Sequence, residues 1–137
     1  MISTRAGCNL CPSGRFGNIS GATSLGECVL CPVGKYKTGD SVAEKASSCD
    51  PCPQGRYQDS TGKNTCKLCQ KGTYGKNVIG GASNAADGCA ECDAGKYGDT
   101  PGATSEQEGC YDCPSGRFGA GIGLDSFDKV RVLIFFC

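Results

Sequence analysis

A chain of 137 residues with 13 cysteines, 22 glycines, no histidine, no tryptophan and 14 basic residues against 14 acidic ones is not composed like a globular enzyme or a nucleic-acid-binding domain. Leu, Ile, Val and Phe make up roughly a sixth of it, below the ~20% at which an ordinary apolar core becomes hard to build, and zero net charge without a basic stripe removes the electrostatic footprint for nucleic acid. With no histidine and no Ser/Lys or paired-carboxylate arrangement, no residue is a candidate general base near neutral pH, so neither catalysis nor a cofactor is expected.

The first eight residues, Met1 to Cys8, contain no apolar h-region and do not form a secretory signal peptide. The expectation is therefore an internal piece of a longer protein, or one whose start lies upstream. No stretch reaches the ~20 apolar residues of a membrane helix, so membrane attachment is expected only through other parts of a full-length protein.

From Cys8 a fixed frame begins, Cys-x-x-Cys-(Pro)-x-Gly-x-(Tyr/Phe). Its copies run Cys8 to Phe16, Cys28 to Tyr36, Cys49 to Tyr57, Cys66 to Tyr74, Cys89 to Tyr97 and Cys110 to Phe118. The glycine recurs as Gly14, Gly34, Gly55, Gly72, Gly95 and Gly116, and the aromatic two residues on as Phe16, Tyr36, Tyr57, Tyr74, Tyr97 and Phe118. Proline follows the second cysteine except where Gln70 and Asp93 stand. Polar glycine-rich stretches such as Gly21-Ala22-Thr23-Ser24 and Gly102-Ala103-Thr104-Ser105 link the copies and carry turn chemistry. The repeats are placed at 8–27, 28–48, 49–65, 66–88, 89–109 and 110–129, the last incomplete, with an atypical apolar tail at 130–137.

Each copy reads as a tight turn and a short hairpin around one covalent staple. Glycine permits a positive φ or a close backbone approach, proline fixes φ at the entry to the turn, and the aromatic can lie over a disulfide. The fold class expected is small, disulfide-rich β, an elongated tandem array of hairpin modules with little regular secondary structure, each module meeting mainly its neighbours. No helical period is sustained anywhere.

The simplest connectivity is serial: Cys11 with Cys28, Cys31 with Cys49, Cys52 with Cys66, Cys69 with Cys89, and Cys92 with Cys110. Cys8 is then left over, and Cys113 with Cys137 is the least secure bond. A crossed pattern, Cys8 with Cys28 and Cys11 with Cys31, uses the same residues, and sequence alone does not choose between them. The serial order has the attraction that each glycine-aromatic turn falls inside its own closed loop. The chemical alternative is zinc held by two Cys-x-x-Cys knuckles, which would make this an intracellular module, although that requires six equivalent copies to work as three pairs. A redox role is weaker, because such motifs act at a helix N-terminus in a βαβ setting.

The segment Cys52-Pro53-Gln54-Gly55-Arg56-Tyr57-Gln58-Asp59-Ser60-Thr61-Gly62-Lys63-Asn64-Thr65-Cys66-Lys67-Leu68-Cys69 resembles the ephrin-receptor-like cysteine-rich repeat. It is also similar to the cysteine-rich modules of tumour necrosis factor receptors and, more broadly, of growth factor receptors. The likeness runs from Cys8 to about Gly119. It implies an elongated chain of small modules with serial cysteine pairing. The additional loop cysteines of the tumour-necrosis-factor-receptor module are absent here.

The function expected is accordingly non-catalytic and extracellular: a spacer, or an adhesion or receptor-like interaction module with an unknown protein or glycan ligand, in a larger surface or secreted protein. Asn18-Ile19-Ser20 is a glycosylation sequon at Asn18. Arg15, Lys35, Arg56, Lys96 and Arg117 share one frame position and would make a basic row for an acidic ligand, against the simpler reading of a solvated turn position. The tail Lys129 to Cys137 breaks the composition, with Val130, Val132, Leu133, Ile134, Phe135 and Phe136 holding much of the chain's apolar content. It reads as a sequence end foreign to the repeat, or as the start of a membrane segment.

Overall fold

A computed structural model describes residues 10–17, 27–39, 49–115, 117–119, 121–125 and 131–132. The strands are β1 (Arg15–Gly17), β2 (Cys28–Leu30), β3 (Lys35–Tyr36), β4 (Asp50–Pro51), β5 (Arg56–Tyr57), β6 (Lys67–Leu68), β7 (Thr73–Gly75), β8 (Cys89–Glu91), β9 (Lys96–Tyr97), β10 (Tyr111–Asp112), β11 (Arg117–Phe118) and β12 (Arg131–Val132). They form six two-stranded sheets, β1–β2, β3–β4, β5–β6, β7–β8, β9–β10 and β11–β12. Strands of two or three residues have no room for an apolar face, and cysteine supplies much of the burial: Cys31, Cys49, Cys69 and Cys92 are the largest fully buried side chains.

Four of the described hairpins share one local cause. After the second cysteine the chain turns back on itself, with Arg15 N–H donating to the Pro12 carbonyl at 3.2 Å, Lys35 to Pro32 at 3.2 Å, Thr73 to Gln70 at 3.1 Å and Lys96 to Asp93 at 3.1 Å. The third residue of each turn is the repeat glycine, with φ between 78° and 88° at Gly14, Gly34, Gly55, Gly72 and Gly95. A type II turn demands that left-handed conformation. Proline occupies only the first position, where it contributes its carbonyl. Gln70 and Asp93 serve equally well there.

The strand after each turn pairs with the segment opening the next repeat. Phe16 stands opposite Val29 and Gly17 opposite Cys28; Tyr36 stands opposite Asp50; Tyr74 stands opposite Ala90 and Gly75 opposite Cys89; Tyr97 stands opposite Tyr111. The aromatic thus meets the residue after a first cysteine each time.

The chain divides into two compact units. One takes the chain up to Pro53 with Tyr57–Lys67 and Ile79–Asn84; the other takes Gln54–Arg56, Leu68–Val78 and the chain from Ala85 onward. Within each unit backbone bonds join one repeat to the next, as expected of a tandem array. In the first unit Gly34 N–H donates to the Gln58 carbonyl (2.7 Å) one repeat on, and Gln58 N–H donates to the Ala82 carbonyl (3.0 Å) in the next. In the second, Gly75 N–H donates to Ala103 (2.8 Å) and Gly98 N–H to Leu124 (2.7 Å). Hairpins this small leave backbone groups unpaired, and the following loops satisfy them.

Two single helical turns occur, too short to show as a period in the sequence: α1 (Ala85–Gly88) and α2 (Glu106–Gly109). For α2 the cause is local capping. The Ser105 hydroxyl accepts the Glu108 N–H at 3.3 Å, while the Glu108 carboxylate reaches back to the N–H and hydroxyl of Thr104 at 3.1 and 2.6 Å. This is a variant of the reciprocal Ser-x-x-Glu cap. No helix among the described residues is long and apolar enough to cross a membrane.

Candidate functional site

Cysteine chemistry comes first because it decides between staple and metal. The structure bonds Cys11 to Cys28, Cys31 to Cys49, Cys52 to Cys66, Cys69 to Cys89 and Cys92 to Cys110, with Cα separations of 5.6 to 5.9 Å. The serial order therefore holds for these five bonds, and the crossed pattern does not occur among them. A bonded sulfur is not a thiolate, and among the described residues no group of three or more cysteine, acidic or histidine side chains is placed to hold a metal ion.

Cys113 is a half-buried thiol without a bonded partner among the described residues; Cys137, its expected partner, lies outside the described residues, as does Cys8. The register of β11 with β12 bears on where the frame would place its next cysteine. Phe118 stands opposite Arg131 and Arg117 opposite Val132. In the other hairpins the residue opposite the aromatic is preceded by a cysteine; Arg131 is preceded by Val130. The strand pairing of a repeat survives there without its sulfur.

The repeat aromatics differ in burial. Phe16 is 5% exposed and clusters with Cys31 and Cys49, the disulfide of the following repeat. Tyr36, Tyr57, Tyr74 and Tyr97 are half-buried, and Phe118 is 38% exposed. Tyr97 also meets the Tyr111 ring, centroids 5.7 Å apart and tilted by 48°. Gly116 and the Asn18 sequon fall outside the described residues.

The basic row is partly occupied within the fold. The Arg15 guanidinium donates to the Cys28 carbonyl at 3.0 Å, and Lys96 forms an ion pair with Glu106 at 2.7 Å. The hydrogen bond to Glu106 raises the Lys96 ammonium above its ordinary value. Lys35 is half-buried and Arg56 exposed; for Arg117 only the strand is described. In the fourth copy Thr73 takes the position and donates its hydroxyl to the Gln70 carbonyl at 2.5 Å. Two of these basic side chains therefore already serve the hairpins that carry them.

Gln58 is the buried polar side chain of the described core, at 3% exposure. Its amide donates to the Thr65 carbonyl at 2.7 Å and accepts the Ser60 N–H at 3.1 Å, bracing the loop closed by Cys52 and Cys66. Nothing in the frame marks it, because other copies have Gly17, Lys37, Gly75, Gly98 or Gly119 at that place. Beside this loop, Lys67 pairs with Asp59 at 2.6 Å.

The feature common to the stacked turns is glycine against glycine. A Cβ on Gly14 would run into the Gly62 carbonyl, one on Gly34 would lie 2.8 Å from the Gly81 carbonyl oxygen, and one on Gly72 would run into the Gly123 carbonyl. The partner in each case belongs to the loop two repeats later. What this arrangement does chemically is bind backbone to backbone, without reactive groups.

A family model described as tyrosine-protein kinase ephrin type A/B receptor-like matches residues 23–63, 39–87 and 55–109, overlapping stretches that together take in more than half of the chain. No curated protein matches it.

Proposed function

From a chain that belongs to the ephrin type A/B receptor-like family of cysteine-rich repeats, we propose a non-catalytic extracellular spacer within a larger surface or secreted protein. The observation that carries this reading is the combination of serial disulfides with backbone bonds to the next repeat and glycine contacts two repeats ahead. Such a construction resists bending within each unit with almost no apolar core, and disulfides of this density persist in oxidising compartments. The exposed large apolar side chains, Val33, Leu68, Ile79 and Ile122 among them, are scattered along the chain, whereas recognition surfaces concentrate aromatic anchors.

Two measurements test it. On the chain secreted from eukaryotic cells, thiol titration with metal analysis should find the ten bonded cysteines unreactive until reduction, with no stoichiometric zinc. Titratable thiols that appear on chelation would overturn it in favour of an intracellular zinc module. Chromatography on heparin, an acidic glycan, should show no retention at physiological salt. Retention lost on replacing Lys35 and Arg56 by serine would make the repeat a glycan-recognition module instead.

A further inference from the structure

A chain in the secretory compartment, as the extracellular reading requires, meets the enzyme that transfers oligosaccharide to asparagine in Asn-x-Ser/Thr. The third residue of that triplet offers a short side chain with a hydrogen-bonding hydroxyl on Cβ. A cysteine thiol has the same placement and a weak S–H donor. Asn64-Thr65-Cys66 carries it, whereas Asn77 and Asn84 have Ile79 and Ala86 at the third position.

The triplet lies in the loop between β5 and β6. Backbone carbonyls anchor that loop: Lys63 accepts the Lys37 N–H at 3.1 Å, and Thr65 accepts the Gln58 side-chain amide at 2.7 Å. Asn64 stands between them, exposed like both of these neighbours. A branched sugar on its amide projects into solvent and displaces neither bond. Cys66 is in the opposite condition, 7% exposed and bonded to Cys52. A bonded sulfur has no S–H to donate, so the closed loop is no substrate for the transfer.

We infer that Asn64 is an N-glycosylation site filled only while Cys66 is still a thiol, so that sugar transfer and closure of the Cys52–Cys66 bond compete for the same chain. The donor class is an oligosaccharide linked to a lipid diphosphate. The Asn64 amide nitrogen bonds to the anomeric carbon and gives up one proton, while the bond from that carbon to the diphosphate breaks and the lipid diphosphate leaves. Closure of Cys52–Cys66 then loses two thiol protons and passes two electrons to a protein disulfide. The product is both glycosylated and bonded, because the amide faces solvent in the closed loop. Chains whose bond closes first stay bare, and occupancy is therefore partial.

The test uses the full chain with Asn9→Gln and Asn18→Gln, which removes the remaining acceptor triplets, expressed through the secretory pathway of eukaryotic cells. Peptide N-glycosidase in heavy-oxygen water converts each glycosylated asparagine to labelled aspartate, read by peptide mapping on cell and medium protein together, so that a variant that fails to fold still reports. A fraction of Asn64 should be labelled. Cys52→Ala withdraws the partner of Cys66 and should raise that fraction severalfold, Cys66→Ala should abolish it, and Cys66→Thr should fill the site. Bare Asn64 in both the parent and Cys52→Ala would overturn the inference, as would a labelled fraction that Cys52→Ala leaves unchanged. Cys66→Thr filled beside such a bare parent overturns the site alone and leaves the extracellular reading standing; that reading fails by the zinc-held thiols described above.

Discussion

A Cβ on Gly55 would lie 2.5 Å from the carbonyl oxygen of Gly102, so these two glycines meet backbone to backbone across two repeats. Gly55→Ala therefore suffers twice, from a positive φ and from a forced displacement of the loop. Gly95→Ala, with the same φ sign but open space, suffers only once. Urea denaturation of the oxidised chain should find a loss of about 2–4 kcal/mol for Gly55→Ala and about 1–2 kcal/mol for Gly95→Ala. Equal losses would show that the stacked loop contributes nothing.

The Cys52–Cys66 bond closes the shortest of the loops, with a sequence separation of 14. Replacing both cysteines by alanine should lower stability by about 3 kcal/mol on the chain-entropy account. It should also expose the Asp59 to Thr65 segment to proteolysis before any other part of the first unit. Limited digestion followed by mass spectrometry reads both the site and the order of cleavage.

Cys113 should be alkylated by iodoacetamide in the native state, while the ten bonded cysteines remain unmodified until reduction. Replacing Val130, which precedes the strand residue opposite Phe118, by cysteine should abolish that labelling by forming a sixth bond. Peptide mapping of Val130→Cys distinguishes a new Cys113 link from unreacted thiol. Continued alkylation of Cys113 would mean that the strand register does not bring the two positions together.

Exposed charges set a modest pH dependence. Hydrogen bonding by Lys67 holds the Asp59 carboxyl below its ordinary value, and the Thr104 hydroxyl and N–H hold Glu108 below its own. Both carboxylates stabilise the fold above their unfolded pKa values, and that contribution is lost as pH falls through the lowered folded ones. Lys67 and Lys96 are raised by hydrogen bonds to Asp59 and Glu106; their contribution is complete below the unfolded lysine value and lost as pH rises through the raised one. In an NMR titration, Thr104→Val should return Glu108 toward its ordinary value of 4.5, and an unmoved midpoint would remove the hydroxyl as the cause.

Much of the hairpin architecture was legible because it is local. Gly55 and Tyr57 lie within a few residues of Cys52, and their geometry follows from turn chemistry that any one copy displays. The approach of Gly55 to Gly102 was not legible in the same way, since a glycine signals permission for a close contact without naming its partner. Ser105 and Glu108 did carry a readable cap, hidden because one helical turn is too short to show a period. The pairing of β11 with β12 rests on a strand register that composition does not reveal: the tail looked foreign by its apolar content, yet Arg131 and Val132 continue the pairing pattern.

The bonded cysteines pair off in chain order, the first with the second and the third with the fourth, from Cys11–Cys28 to Cys92–Cys110. A nascent chain thus brings both halves of a bond out of the ribosome before either half of the following one. At 5–20 residues per second, a loop with a sequence separation of 14 to 20 is presented in roughly one to four seconds. Oxidation that keeps pace with synthesis reaches the native connectivity without reshuffling. Oxidation that runs ahead within a single Cys-x-x-Cys pair takes one cysteine from each of two neighbouring bonds. Correct assembly is therefore a matter of timing between elongation and the oxidant.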